Sequence, residues 1–271
     1  MELLRVTGIW GGEDPGEEQD NDTTTQEITK GWEEVAEILD MTDDGSRFAE
    51  EIRQRSAHAT SNGSFKAGLG TAATILRGKT REGRIIGVNK VPGRTEEQSA
   101  YRSELSGVIC SLRIIQHVCK THDIQEGQVT IHLDGKQAML DASDTWYLES
   151  TKADFDMLKK IRHQIQEIPV DIKWEWVKGH QDNQVAFEEL DTISQDNVLA
   201  DAIAKAYMNQ RIRRGEQSID ENIMAEGFKL KVKGKLCQQN LKTVAPVFVG
   251  KYRSFCLSHM PGKRQGFFVS L

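Results

Sequence analysis

The chain has 271 residues, 38% of them hydrophobic and 28% charged, enough for one sizeable core and too few for two full ones. No stretch approaches the roughly 20 apolar residues of a membrane span, and Met1-Glu-Leu-Leu-Arg-Val6 lacks the basic lead and apolar run of a signal peptide, so an intracellular protein, cytoplasmic or nuclear, with no membrane partner is expected. The formal net charge of −6 conceals a gradient: residues 1–56 carry 5 basic and 16 acidic side chains and residues 211–271 carry 12 and 4, an acidic lead-in and a basic end suited to nucleic acid.

From Gly11 to Thr29 almost nothing is apolar, so burial cannot offset the entropy of ordering and disorder is expected. Trp32, Val35, Ile38 and Leu39 recur at helical spacing, and Phe48 and Ile52 mark a second short helix. Residues 1–56 therefore read as a partly disordered lead-in with short helices. Ala57–Ser61, Gly70–Arg77 and Arg84–Val91 read as three strands with Gly-rich joints, an antiparallel meander. Between Gln98 and Lys120, Tyr101, Leu105, Val108, Ile109, Leu112, Ile115 and Val118 recur every three or four positions, which predicts a long amphipathic helix.

Val129–Leu133 is a buried-strand run that delivers Asp134 to a strand's carboxyl end. A short helix over Lys136–Asp141 and a longer one over Lys152–Ile168 follow, the latter stopped by Pro169. Val170–Val177 alternates like a strand with one covered face, Asp182–Gln195 reads as a polar loop, and Asn197–Met208 as the closing helix. This order implies an α/β domain over residues 57–210: a mixed five-stranded sheet, three strands antiparallel and two parallel, flanked by helices. Residues 211–271 form a basic extension, in which Phe228, Leu230 and Val232 alternate with lysines as in a small hairpin module.

Glu104, Asp134 and Asp201 fall where a mixed sheet can gather them. Clustered carboxylates repel one another, and a pair of divalent cations that activates water and stabilises a leaving oxygen relieves the repulsion. Singly, each acid has a plainer account: a solvated helix residue, a turn former before Gly135, and a first-turn acid favoured by the helix dipole.

Their order and surroundings resemble the type 1 ribonuclease H family, in particular the ribonuclease H domain of retroelement reverse transcriptases. The carrying segments are Ser61-Asn-Gly-Ser64, Tyr101-Arg-Ser-Glu104, Leu133-Asp-Gly-Lys-Gln-Ala138, Trp176-Val-Lys-Gly-His180 and Asn197-Val-Leu-Ala-Asp201-Ala-Ile-Ala204. Five ordered motifs over about residues 57–210 are specific where one would be weak. The resemblance implies a hydrolase that uses Mg2+ or Mn2+ to cleave the RNA strand of RNA–DNA hybrids. Glu104, Asp134 and Asp201 would bind metal, and His180 on a loop would assist proton transfer or product release. Gly63, Ser64 and Lys66 would meet the nucleic acid, Ser64 from the minor groove, where 2′-hydroxyls distinguish RNA. It also implies a reverse transcriptase context absent from this chain.

Asn62 departs from the pattern. The family has a metal-bridging Asp there, whereas an amide is neutral and a poorer Mg2+ ligand, so severely impaired cleavage with retained hybrid binding is expected. Because Asn-Gly sequences deamidate readily, slow conversion of Asn62 to Asp is a route back to trace activity. The alternatives are a catalytically silent nucleic-acid-binding or interaction module of the same fold, and a relic without function. Cys237, Cys256 and His259 match no common zinc frame. Trp32, Trp146, Trp174 and Trp176 read as packing residues rather than base-stacking platforms.

Overall fold

The computed structural model describes residues 35–144, 146, 148–149, 152–218, 228–232, 235–236 and 267–270. The expectations for Gly11–Thr29, for Trp32 and for Cys237, Cys256 and His259 lie outside them. The strands are β1 (Ile38–Met41), β2 (Ala57–Lys66), β3 (Leu69–Arg77), β4 (Ile85–Lys90), β5 (Gln128–Leu133) and β6 (Asp171–Trp176), and the helices α1 (Ser46–Arg53), α2 (Ala100–Thr121), α3 (Lys136–Ser143), α4 (Phe155–Glu167) and α5 (Thr192–Arg213).

The six strands form one sheet in the order β1-β4-β3-β2-β5-β6. The pairs β1/β4, β4/β3 and β3/β2 are antiparallel, and β2/β5 and β5/β6 are parallel. The expected mixed α/β architecture is therefore present, with six strands where five were anticipated. The extra one is β1, in a stretch whose spacing suggested helix. Its four residues are too few to display a period of two, and pairing with β4 places only Met41 in the core.

One face of the sheet carries α1, α2 and α4. Leu105, Val108, Leu112 and Ile115 of α2 are fully buried there with Ala57, Ala59, Val129 and Ile131 of the strands and with Met157, Leu158 and Ile161 of α4. Each buried Val, Leu, Ile or Met among these stabilises the fold by about 1.5–3 kcal/mol relative to exposure. Ser99 caps α2 by accepting the Arg102 backbone N–H at 2.9 Å. On the other face α5 covers Ala73, Ile75, Ile86 and Val88 with Leu199, Ala200, Ile203, Ala204 and Tyr207.

Helix α5 begins five residues before the expected start, because Asp191 accepts the Ser194 N–H at 2.9 Å as an N-cap. Asp201 consequently lies in the middle of the helix and not one turn in. The loop before it holds two short 3-10 turns, Gln181–Asn183 and Phe187–Glu189.

The basic extension supplies β7 (Phe228–Val232), β8 (Lys235–Leu236) and β9 (Phe267–Ser270). Strand β7 pairs antiparallel with β8 and parallel with β9. No helix among the described residues is long and apolar enough to cross a membrane.

Candidate active site

The sheet register determines which side chains meet. Along β2, Ala57 and Ala59 face α2, so His58, Thr60 and Asn62 face α5. Parallel pairing sets Ser61 beside Leu133, and the next residue of β5's chain, Asp134, leaves the sheet at the level of Asn62. The Asn62 amide, only 4% exposed, donates through Nδ2 to Asp134 Oδ2 at 3.2 Å and to Asn197 Oδ1 at 3.4 Å. Asn197 Nδ2 donates to the same Asp134 oxygen at 3.4 Å. Two neutral amides thus converge on one carboxylate oxygen.

Glu104 reaches the cluster from α2. A Cβ added to Gly63 would stand 2.5 Å from the Glu104 backbone nitrogen, so only glycine lets the helix lie this close to β2. The Gly63 N–H donates to the Glu104 carboxylate, yet Glu104 Oε2 is buried without a hydrogen-bond partner among the described residues. Burial, then the charges of Asp134 and Asp201, push the Glu104 carboxyl up to about 8, against the smaller opposing effect of the Gly63 N–H. Asp201 is near enough to repel Glu104, but its own carboxylate is paired with Lys205 Nζ one turn further along α5, at 2.5 Å.

The structure therefore draws Asn62, Glu104 and Asp134 into one cluster, with Asp201 at its margin. Among the described residues no group of three or more His, Cys, Asp or Glu side chains is placed to hold a metal ion. What fits a cation is narrower than the expected three-acid array. Glu104 and Asp134 repel each other, and Glu104 has an orphaned buried oxygen, the donor chemistry of one hard divalent ion.

The other expected residues are more scattered. His180 is exposed at φ +53°, before the Gln181–Asn183 turn, and its imidazole has no hydrogen-bond partner among the described residues. Ser64 is buried under α5, its hydroxyl donating to Met208 Sδ at 3.4 Å, so it does not face solvent as the minor-groove role requires. Gly63 is half-buried against α2, and Lys66 is exposed at the end of β2.

Sequence reasoning passed over three contributors. Asn197 lies one turn before Asp201 on the same side of α5, a spacing that marks it in retrospect. Gly179 covers the site: a Cβ there would stand 2.7 Å from Asp134 Oδ2. Trp176 donates its indole N–H to the Asp134 carbonyl at 3.0 Å and is 52% exposed, and Trp146 is 84% exposed, so neither is the core residue expected.

No protein-family model matches the sequence, and no curated protein matches it at a meaningful level. Solved structures do match. The N-terminal RNase H domain of a Mycobacterium tuberculosis protein, solved as a fusion with maltose-binding protein, is 12% identical at a TM-score of 0.37, covering 59% of this chain and 97% of that one. LC11-RNase H1, isolated from compost by a metagenomic approach, is 11% identical at 0.41, covering 58% and 99%. The same enzyme in complex with RNA/DNA hybrid is 10% identical at 0.37, covering 53% and 99%. At these identities the likeness is confined to the mixed α/β fold.

Proposed function

We propose that this chain is a ribonuclease H-type domain, of retroelement descent, that engages RNA–DNA hybrids and cleaves their RNA strand poorly. The observation that carries the proposal is the cluster itself: Glu104, Asp134 and a buried amide, Asn62, meet at the positions where the motif resemblance calls for three carboxylates. Glu104 and Asp134 would hold a divalent cation, Mg2+ or Mn2+. Bound there, such an ion lowers the pKa of water and stabilises the leaving oxygen of a phosphodiester.

The side chains set the limits of that chemistry. Asn62 brings no charge, and its N–H bonds compete for the Asp134 oxygen that a cation needs. Asp201 is diverted to Lys205. These residues would thus hold one cation, whereas hydrolysis that stabilises both the attacking and the leaving oxygen calls for two. His180, exposed on its loop, is free to protonate the departing 3′-oxygen. Substrate affinity comes from phosphate contacts that do not depend on Asn62.

The test is cleavage of a labelled RNA–DNA hybrid in Mg2+ by the wild type and by Asn62→Asp. Wild-type activity near background and a gain on the order of 10²-fold in the variant are expected. Brisk, equal cleavage by both would overturn the proposal. The second reading, a silent hybrid-binding module, is favoured by the two amides that already satisfy Asp134 Oδ2; binding without cleavage by either protein would select it.

A further inference from the structure

The two edges of the sheet are guarded unequally. Strand β1 at one edge is four residues long, whereas β6 at the other runs for six, Asp171–Trp176. The Asp171 N–H donates to the Gly127 carbonyl and the Val177 N–H to that of Leu133, both on the β5 side and at 3.0 Å. Alternation along the strand therefore gives β5 the backbone groups of Asp171, Lys173, Glu175 and Val177. It turns those of Ile172, Trp174 and Trp176 outward, where no strand among the described residues meets them. An open row of this kind is a template for another strand. Lys173 and Glu175 are exposed beside it, and Trp176 is 52% exposed.

We propose that β6 pairs antiparallel with β6 of a second copy of this chain, about a twofold axis at Trp174, so that the two sheets join into one. The charges select this register. Outward backbone groups must exchange bonds with outward groups, which leaves only axes at Trp174 or at its neighbours if most of the strand is to overlap. An axis at Lys173 sets that lysine against itself and Asp171 against the partner's Glu175. An axis at Glu175 sets that carboxylate against itself and leaves Lys173 opposite the partner's Val177. The axis at Trp174 instead places Lys173 opposite the partner's Glu175 and Glu175 opposite the partner's Lys173, with Ile172 opposite the partner's Trp176.

In that register Lys173 and Glu175 fall in non-hydrogen-bonded pairs, the closer of the two kinds, where opposite charges attract and like charges are destabilising. An isologous contact asks one surface to complement itself, and Lys173-Trp174-Glu175 does so about its middle residue. A lysine on an open edge discourages pairing when it is unmatched; here it is matched. The apolar side agrees: Ile172 and Trp174 are only partly buried against the core, and the partner's Ile172 covers Trp176. The Trp176 indole holds the Asp134 carbonyl, so the contact buttresses each candidate site from outside without entering it.

The experiment is sedimentation velocity of the full-length chain over a wide concentration range, for the wild type, Lys173→Glu, Glu175→Lys, and the two variants mixed. A strand edge is a small interface, so the wild type is expected to form a weak, concentration-dependent dimer. Each variant alone meets like charges in both cross-strand pairs and should dissociate about tenfold more readily. In the mixture every such pair is opposite in sign, so the dimer should return at wild-type strength, which also shows that both variants are folded. A wild type that stays monomeric, variants that each dimerise like the wild type, or a mixture that stays monomeric would overturn the proposal. Amide protection of Ile172, Trp174 and Trp176 in a monomer would overturn it too, by giving the edge to another segment of the same chain. None of these readouts depends on hybrid cleavage.

Discussion

The two faces of the sheet are built on opposite principles. Under α2 and α4 most contacts are aliphatic, with one buried ion pair, Arg102 with Asp156, where the two helices meet. Under the N-terminal half of α5 they are polar and paired: Arg77 with Asp196, His58 with His132, Asn62 with Asp134 and Asn197. The first face distributes stability. The second concentrates it in a few groups, each of which leaves a stranded charge or donor when its partner goes.

The sharpest way to break this contrast is Asp196→Ala. Arg77 is 2% exposed and would be left buried and uncompensated, so a loss of about 3–5 kcal/mol is expected in urea unfolding. Leu112→Ala, on the aliphatic face, should cost about 2–5 kcal/mol through its cavity. If Asp196→Ala cost under 1 kcal/mol, the polar face would not be organised by pairing at all.

Glu104 tests the contrast by pH. Its carboxyl titrates near 8 when folded and near the ordinary 4.5 when unfolded, so between those values the folded state binds more protons. Stability should therefore fall as pH rises from about 4.5 to about 8, by a few kcal/mol, and level off above. Glu104→Gln should flatten that slope, and saturating Mg2+ should reduce it if Glu104 holds the cation. Thermal melts across this range are the measurement; an unchanged slope in Glu104→Gln would exclude Glu104 as its source.

Asn62→Asp should show a smaller and conditional effect. Without divalent ions it removes a donor from Asp134 and adds a like charge, a cost of about 1–3 kcal/mol; Mg2+ should restore much of it. The smallest effect concerns deamidation. Asn62 and Gly63 are held extended by pairing with Ala73 and Ala72, and the Gly63 N–H, the nitrogen that must attack the Asn62 side chain, donates to Glu104. Intact mass should stay constant in the folded protein and drift by one mass unit only after unfolding.

Much of the fold is legible along the chain because its long helices and buried strands repeat their apolar positions often enough to declare a period. Strand β1 is too short to do so. Its place depends on an unpaired edge of β4, which exists only once the sheet has formed. The early start of α5 is a matter of one side chain, Asp191, finding a backbone N–H three residues on.

By itself the sequence determined the acids, their order and the intrusion of an amide at Asn62, since residue identity and spacing along elements are local properties. Tertiary structure alone decided what those groups do to one another. Asn197 enters the cluster as a neutral residue that no charge pattern reveals, Lys205 draws off Asp201, and Ser64 turns under α5. Glu104 is left with a buried oxygen that no group among the described residues satisfies. These are questions of distance and desolvation across strands far apart in the chain, and such energies exist only in the folded arrangement.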